Sequence, residues 1–200
     1  VAEMCKLIEW PHYDRDEAFR LSKVINEPDF LPLHVVRLLA QAATLVRAKR
    51  GKLVPTPLGK SMLSDARQGS LSAILFHLAF WHMDLGYFGR GLLGPWPQGD
   101  IGIVLWSLSV SAADWQTSEK LTRLCTIPEP AILSATWDRP AHAMEARILR
   151  PLLWFGLLEY HSEKIADSRF TARHYYRKAA LFDRLLAFDV KMDLAESPRH

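Results

Sequence analysis

Two hundred residues, 49% of them hydrophobic and 24% charged, suffice for one compact domain or two small ones and exclude global disorder. A formal net charge of +3 permits nucleic-acid binding without requiring it, because any basic surface would have to be local. The two cysteines, Cys5 and Cys125, lie far apart and form no CxxC pair, which excludes a cysteine-based zinc site and agrees with a reducing compartment.

Glu3 and Glu9 interrupt the first apolar residues, so no signal peptide is expected. Ile101–Ala113 is uncharged but shorter than the ~20 residues a spanning helix needs. Leu71–Leu93 is long enough, yet His77, His82, Asp84 and Arg90 break it. The chain is therefore expected to be cytoplasmic and to have no membrane partner. Its start at Val1 rather than methionine is what a piece of a longer protein would show.

In chain order, Val1–Trp10 fits one or two helical turns. Asp14 and Glu17 have capping-box spacing, with Ala18, Leu21 and Ile25 as the buried line of a helix that ends at Asn26–Asp29. Leu33, Val36, Ala40 and Ala43 then fall on one face at steps of three and four. The period changes after that. Leu45–Ala48 and Leu53–Thr56 are short β-compatible runs around Lys49-Arg50-Gly51-Lys52, a basic tip with a glycine for a tight turn. Thr56 offers a side-chain cap, Pro57 suits a first helical position, and Leu58, Met62 and Leu63 resume helical spacing. Helix, basic hairpin, helix is the outline of a winged helix. Pro28 and Pro32 depart from it, making the preceding connection longer and stiffer than a helix-turn-helix turn.

Leu71, Ile74, Leu75, Leu78, Trp81, Leu85 and Phe88 predict a helix apolar around most of its circumference, hence largely buried. Gly86–Gly99 reads as loop. Ile101, Leu105, Leu108 and Ala112 mark an amphipathic helix, and Thr117 or Ser118 caps a short one with Leu121 and Leu124. Asp138 and Pro140 start a helix towards Arg150. The opening pattern then returns: Ile148, Leu152 and Phe155 align with Val36, Ala40 and Ala43, and Leu157-Leu158 with Leu45-Val46. After a longer polar hairpin, from His161 to about Arg173, residues 180–186 align with 57–63. Pro151 is expected to kink or restart the helix of this second copy.

The segment AATLVRAKRGKLVPTPLGKSML is similar to the part of bacterial winged-helix proteins in which L-V-basic-hairpin-T-x-x-G-x-x-L joins the third helix to the one after the wing. The whole layout resembles a family of bacterial plasmid-type open-reading-frame proteins of unknown function, with winged-helix-like pieces flanking an all-helical middle. That resemblance implies a fold and no activity.

Arg47, Lys49, Arg50 and Lys52, with Lys60 nearby, are the strongest functional signal, since phosphate contacts need flexible or forked cations on a rigid exposed support. The plain alternative is a solvated turn. His34, Arg37 and Gln41 lie on the polar side of the preceding helix; Arg and Gln can read guanine and adenine edges, but any surface face looks similar. Arg169, Arg173, His174, Tyr175, Tyr176, Arg177 and Lys178 interleave cations with aromatics, which fits stacking on bases or a strand packed on a core. Gly89–Gly94 matches GxGxxG in letters only, because a strand does not precede it and Pro95-Trp96-Pro97 follows. His77, His82 and Asp84, at steps of five and two, do not share one α-helical face as three metal ligands would, so histidines packed among aromatics are expected instead. Trp81, Trp96, Trp106 and Trp115 are expected in the core. Nucleophile, phosphate-loop and metalloprotease motifs are absent from the sequence.

These elements compose a mainly α protein with small β-hairpins: tandem winged-helix-like units around a helical middle region. The expected divisions are a winged-helix module over residues 14–67, a helical middle over 70–137, and a second, degenerate unit over 138–190. The expected function is a non-enzymatic, DNA-binding or regulatory module without cofactor or metal. Duplex DNA would meet Arg37, Gln41, Arg47, Lys49, Arg50, Lys52, Arg173, Arg177 and Lys178. The alternative is an interaction or structural role towards another protein or a missing N-terminal segment. A contiguous positive surface joining the hairpins would favour DNA; dispersed charge with an exposed apolar face on Ile101–Ala113 would favour a protein.

Overall fold

The computed structural model describes residues 26–88, 96, 97, 99, 101–127, 139–164 and 172–189, with helical positions at 3, 4, 19 and 20. The capping box at Asp14 and Glu17, the loop Gly89–Gly94, Asp138 and Arg169 lie outside the described residues. A single 3-10 turn, Glu27–Asp29, leads into helix α1 (Leu31–Ala42), whose second residue is Pro32. Proline is tolerated there because the first helical N–H groups lack partners in any case. Strands β1 (Val46–Lys49) and β2 (Lys52–Pro55) follow, then the short helix α2 (Pro57–Met62). The expected hairpin is present, with each four-residue strand shifted one residue towards the tip from the apolar pattern.

The middle holds α3 (Gln68–His77), prolonged by a π-helical turn at Leu78–His82, then α4 (Ile101–Ser111), a two-residue strand β3 (Gln116–Thr117) and α5 (Ser118–Cys125). Helix α6 (Arg139–Met144) runs through a second π turn, Glu145–Leu149, into α7 (Arg150–Trp154). The break expected at Pro151 thus takes the form of a widened turn followed by a restart, with the proline in the first turn of α7. Strands β4 (Leu158–Lys164) and β5 (Ala172–Lys178) and helix α8 (Ala180–Leu185) complete the described chain. The first hairpin is a sheet by itself, whereas β3 joins the second to give the order β3-β5-β4, antiparallel throughout. Mainly helical with two small antiparallel sheets, the architecture agrees with the expected fold class.

Backbone hydrogen bonds repeat from the first copy to the second in the register the sequence implies. Leu45 N–H donates to Ala40 O (2.8 Å) and Thr44 N–H to Gln41 O (3.0 Å), closing α1 in a Schellman motif. Leu157 N–H donates to Leu152 O (2.9 Å) and Gly156 N–H to Leu153 O (2.9 Å), closing α7 in the same way. Each hairpin then returns to its own start: Thr56 N–H meets Leu45 O and Ala179 N–H meets Leu157 O, both at 2.9 Å. Val46 pairs with Pro55, and Leu158 with Lys178.

One apolar cluster joins α1, the middle helices and the second hairpin with its helix, and takes no residue from the first hairpin or α2. Val35 and Leu39 of α1 meet Phe76 and Phe80, Val104, Leu105 and Leu108 of α4, Leu121, Met144 and Ile148, and Tyr176 and Phe182 from the second copy. Two expected faces are corrected. Helix α1 buries Pro32, Val35 and Leu39, and leaves Val36 39% exposed, one residue out of phase with the predicted line Leu33, Val36, Ala40, Ala43. Both lines have steps of three and four; contact with the turn at Leu78–His82 selects between them. Helix α3 is buried at Phe76 but not all round, since Ile74 and Trp81 are exposed. The line Ile101, Leu105, Leu108 and Ala112 is buried as expected, and Ile103, Trp106 and Val110 stay open on the other side of α4.

Among the described residues no helix is long and apolar enough to cross a membrane.

Candidate nucleic-acid interface

The first hairpin turns through Arg50 and Gly51, at φ 51° and 73°, so both central residues are left-handed as a two-residue type I′ turn requires. Side chains alternate along a strand and opposed residues share a face. Because Arg47 opposes Val54 and Lys49 opposes Lys52, three cations project from one face, with Arg50 at the tip. All four are exposed, and none has an acidic partner among the described residues. On the opposite face Leu53 is 47% exposed, so the hairpin stands clear of the core.

Its base is held tightly. Thr56 Oγ1 accepts from Gly59 N–H (3.0 Å) and donates to Thr44 O (2.8 Å), so one side chain caps α2 and closes the hairpin. Gly59 is buried against the backbone of Leu45: a Cβ there would lie 2.0 Å from Leu45 O. That close approach explains the glycine of the T-x-x-G pattern.

The polar side of α1 is engaged within the molecule. Arg37 Nε donates to Glu27 Oε1, Arg37 Nη1 donates to Gln41 Oε1 (2.5 Å), and His34 Nδ1 lies 2.7 Å from the same Glu27 oxygen. The other ring nitrogen of His34 meets the Tyr87 hydroxyl, and the two rings stack at 5.9 Å. Burial raises the Glu27 carboxyl, but the hydrogen bonds from Arg37 and His34 outweigh it and hold the group below its ordinary value. Arg37 and Gln41 are therefore brought together, but with each other and Glu27. Glu27 and Tyr87 carry no sequence signal for this role, because three helices and a hairpin separate them in the chain.

The second hairpin pairs two of its cations, Arg177 and Lys178, within the molecule. Arg177 donates to Glu159, directly opposite on β4, through Nε (3.2 Å) and Nη2, and its guanidinium lies 4.8 Å from the Trp115 ring centre. Lys178 Nζ reaches Asp183 (2.8 Å), and Arg173 opposes Glu163 across the ladder. His161 stacks on Tyr175 (4.8 Å) and meets Trp115 edge-on (4.4 Å), so these rings occupy one another. Tyr176 is fully buried, and burial pushes its hydroxyl far above the ordinary range. His174 faces Glu145 at 3.1 Å; this hydrogen bond raises the imidazole above its ordinary value despite partial burial.

Of the tryptophans, Trp96 is core and its indole N–H points to Ile127 O (3.4 Å), and Trp115 is partly buried. Trp81 and Trp106 are 44% and 41% exposed, contrary to expectation, because each faces away from the cluster that fixes its helix. Between His77 and His82, however, the α-helical period fails. The π turn between them, with Met83 N–H donating to Leu78 O (2.9 Å), brings their Nε2 atoms to 3.1 Å. Asp84 stays apart, accepting from Gly86 N–H (2.8 Å). Among the described residues no group of three or more metal-binding side chains forms.

Residues 1–68, which include the cationic hairpin, match the family described as the Y4jL N-terminal domain. The uncharacterized protein y4jL of Sinorhizobium fredii (strain NBRC 101917 / NGR234) is 40% identical over 55 residues, 28% of this chain. The match spans 25% of that relative. No solved structure matches the chain. The first third of the chain is thus similar to bacterial proteins of unknown function, as the layout implied.

Proposed function

We propose that the chain is a non-enzymatic winged-helix binding module whose first hairpin seats on the phosphate backbone of duplex DNA. The observation that carries this reading is the set Arg47, Lys49, Arg50 and Lys52 on one rigid, exposed hairpin without acidic partners among the described residues. Lys49 directly opposes Lys52, and like charges in that position are destabilising. Phosphates supply the missing counter-charge, and the four side chains project far enough from the core to reach them. Arg37 would read bases only after releasing Glu27, and Gln41 only after releasing Arg37, so the hairpin is the primary contact and recognition is weakly sequence-dependent.

Fluorescence anisotropy with mixed duplexes across a salt series tests this. Each phosphate contact contributes about 0.9 to the log–log salt slope, so replacing Lys49, Arg50 and Lys52 with alanine should flatten it by roughly two to three. No binding by the folded chain at low salt would overturn the reading.

A second reading rests on a different surface. Ile103, Trp106 and Val110, 51%, 41% and 66% exposed, form an apolar stripe along α4. Such a stripe suits a protein partner, and with Arg177 and Lys178 paired on the second hairpin it is the pattern that the sequence criterion assigns to that reading. Failure of DNA binding, combined with self-association that Val110→Asp abolishes, would favour it.

A further inference from the structure

We propose that His77 and His82 form a two-histidine chelate for a borderline transition-metal dication of the zinc class, built by the π turn at the end of α3. Their Nε2 atoms are 3.1 Å apart. Two nitrogens bound to one zinc at ordinary distances and a tetrahedral angle lie about 3.4 Å apart. At the right angle of a square-planar ion the separation is about 2.9 Å. The observed spacing falls between these values, and turning the rings from their mutual hydrogen bond towards a shared ion would complete the chelate.

The local backbone is what creates this pair. In a continuous α-helix, residues five apart are about 140° apart around the axis, and the two imidazoles would diverge. The i→i+5 hydrogen bonding of Leu78–His82 turns the chain more slowly and returns His82 to the side of His77. Such turns are rare and recur at functional sites. Trp81, inside the turn, stacks on His77 at 5.5 Å with the planes 17° apart, which restricts the ring. Both histidines are exposed, so water can complete the coordination shell. Imidazole nitrogen without a nearby carboxylate selects zinc, copper or nickel over magnesium or calcium, and Asp84 is committed to Gly86. The site is independent of the cationic hairpin, so it stands whether or not the chain binds DNA.

The test is calorimetric titration of the untagged full chain with Zn2+ alone. One ion per chain should bind, and His77→Ala and His82→Ala should each weaken binding at least about tenfold, the loss that even outer-shell partners of metal ligands produce. His82→Gln separates chelation from a structural hydrogen bond, since glutamine still bonds to His77 but supplies no imidazole. Its expected affinity matches His82→Ala. Because both positions are exposed, circular dichroism should show all three variants folded. Wild-type affinity in any of them, or no saturable heat with the parent chain, would overturn the proposal.

Discussion

The two hairpins share a backbone frame and differ in almost everything attached to it. Each follows a helix closed by a Schellman motif, returns to its first residue at 2.9 Å, and feeds a short helix that begins at the equivalent position. The first stands alone, and the cations on its one face have no acidic partner among the described residues. The second gains β3 and sets Glu159, Asp183 and the Trp115 ring against its cations. The same frame thus serves two ends. Where the hairpin joins a larger sheet, neighbouring side chains pair with Arg177 and Lys178; where it projects alone, such neighbours are missing among the described residues.

The short helices after the hairpins make the sharpest contrast. Gly59 and Phe182 occupy equivalent positions, one admitting the Leu45 carbonyl and the other filling the core. Phe182→Ala should lower stability by about 3–5 kcal/mol in urea unfolding. Gly59→Ala should cost about 1–3 kcal/mol, and because the obstacle is backbone the upper end is expected. Equal tolerance at the two positions would break the comparison.

The helix ends offer a smaller, paired test. Thr44, a β-branched residue, adopts φ 55° where the second copy has Gly156 at φ 69°. Gly156→Ala should cost about 1 kcal/mol from left-handed strain, since its Cβ would meet only Leu181 at an ordinary 3.9 Å. Thr44→Gly should gain up to about 1 kcal/mol, as the relieved strain exceeds the added chain entropy. Thermal unfolding of both variants checks the opposite signs.

The charge networks respond to pH in opposite directions. His174 is raised by its hydrogen bond to Glu145, so its contribution is full below the ordinary histidine value and is lost as pH rises through the folded-state value. Glu27 is held low, so its contribution is present above the ordinary carboxylate value and is lost as pH falls through the folded-state value. His174→Ala should therefore destabilise more at pH 5.5 than at pH 8.5, by within about 1 kcal/mol. Glu27→Gln should show the reverse between neutral and acidic pH. An unchanged pH profile in either variant would separate these networks from folding stability.

The smallest effect concerns the hairpin faces. Lys52→Glu should stabilise the first hairpin by about 0.2–1 kcal/mol at low salt by pairing with Lys49, and should weaken DNA binding. Glu159→Lys should destabilise the second by a similar amount. Stabilisation by Lys52→Glu with unchanged DNA affinity would remove that lysine from the proposed contact.

Much of the frame was legible in the residues themselves. The basic tip, the capping threonine and the buried glycine specify the first hairpin locally, through turn chemistry and backbone access. The register of the second copy followed because its apolar spacing repeats at a constant offset and its extra length falls in the hairpin. Less legible was anything that depends on contacts between distant segments. The buried line of α1 could not be told from its neighbour one residue away, since both have helical spacing. The exposure of Trp81 and Trp106 depends on which side of each helix the core takes.

By itself, then, the sequence determined most of the helices, the two hairpins, and the turn and cationic tip of the first, because hydrophobic period, left-handed turn residues and caps act over a few neighbouring residues. Tertiary structure alone decided which charges are answered and which side chains converge. Arg37 meets Glu27, Arg177 meets Glu159 across a ladder beside Trp115, and His34 meets Tyr87 only once separate segments have packed. The approach of His82 to His77 required the α-helical period to fail for one turn, a change of hydrogen-bond partner that residue spacing does not encode.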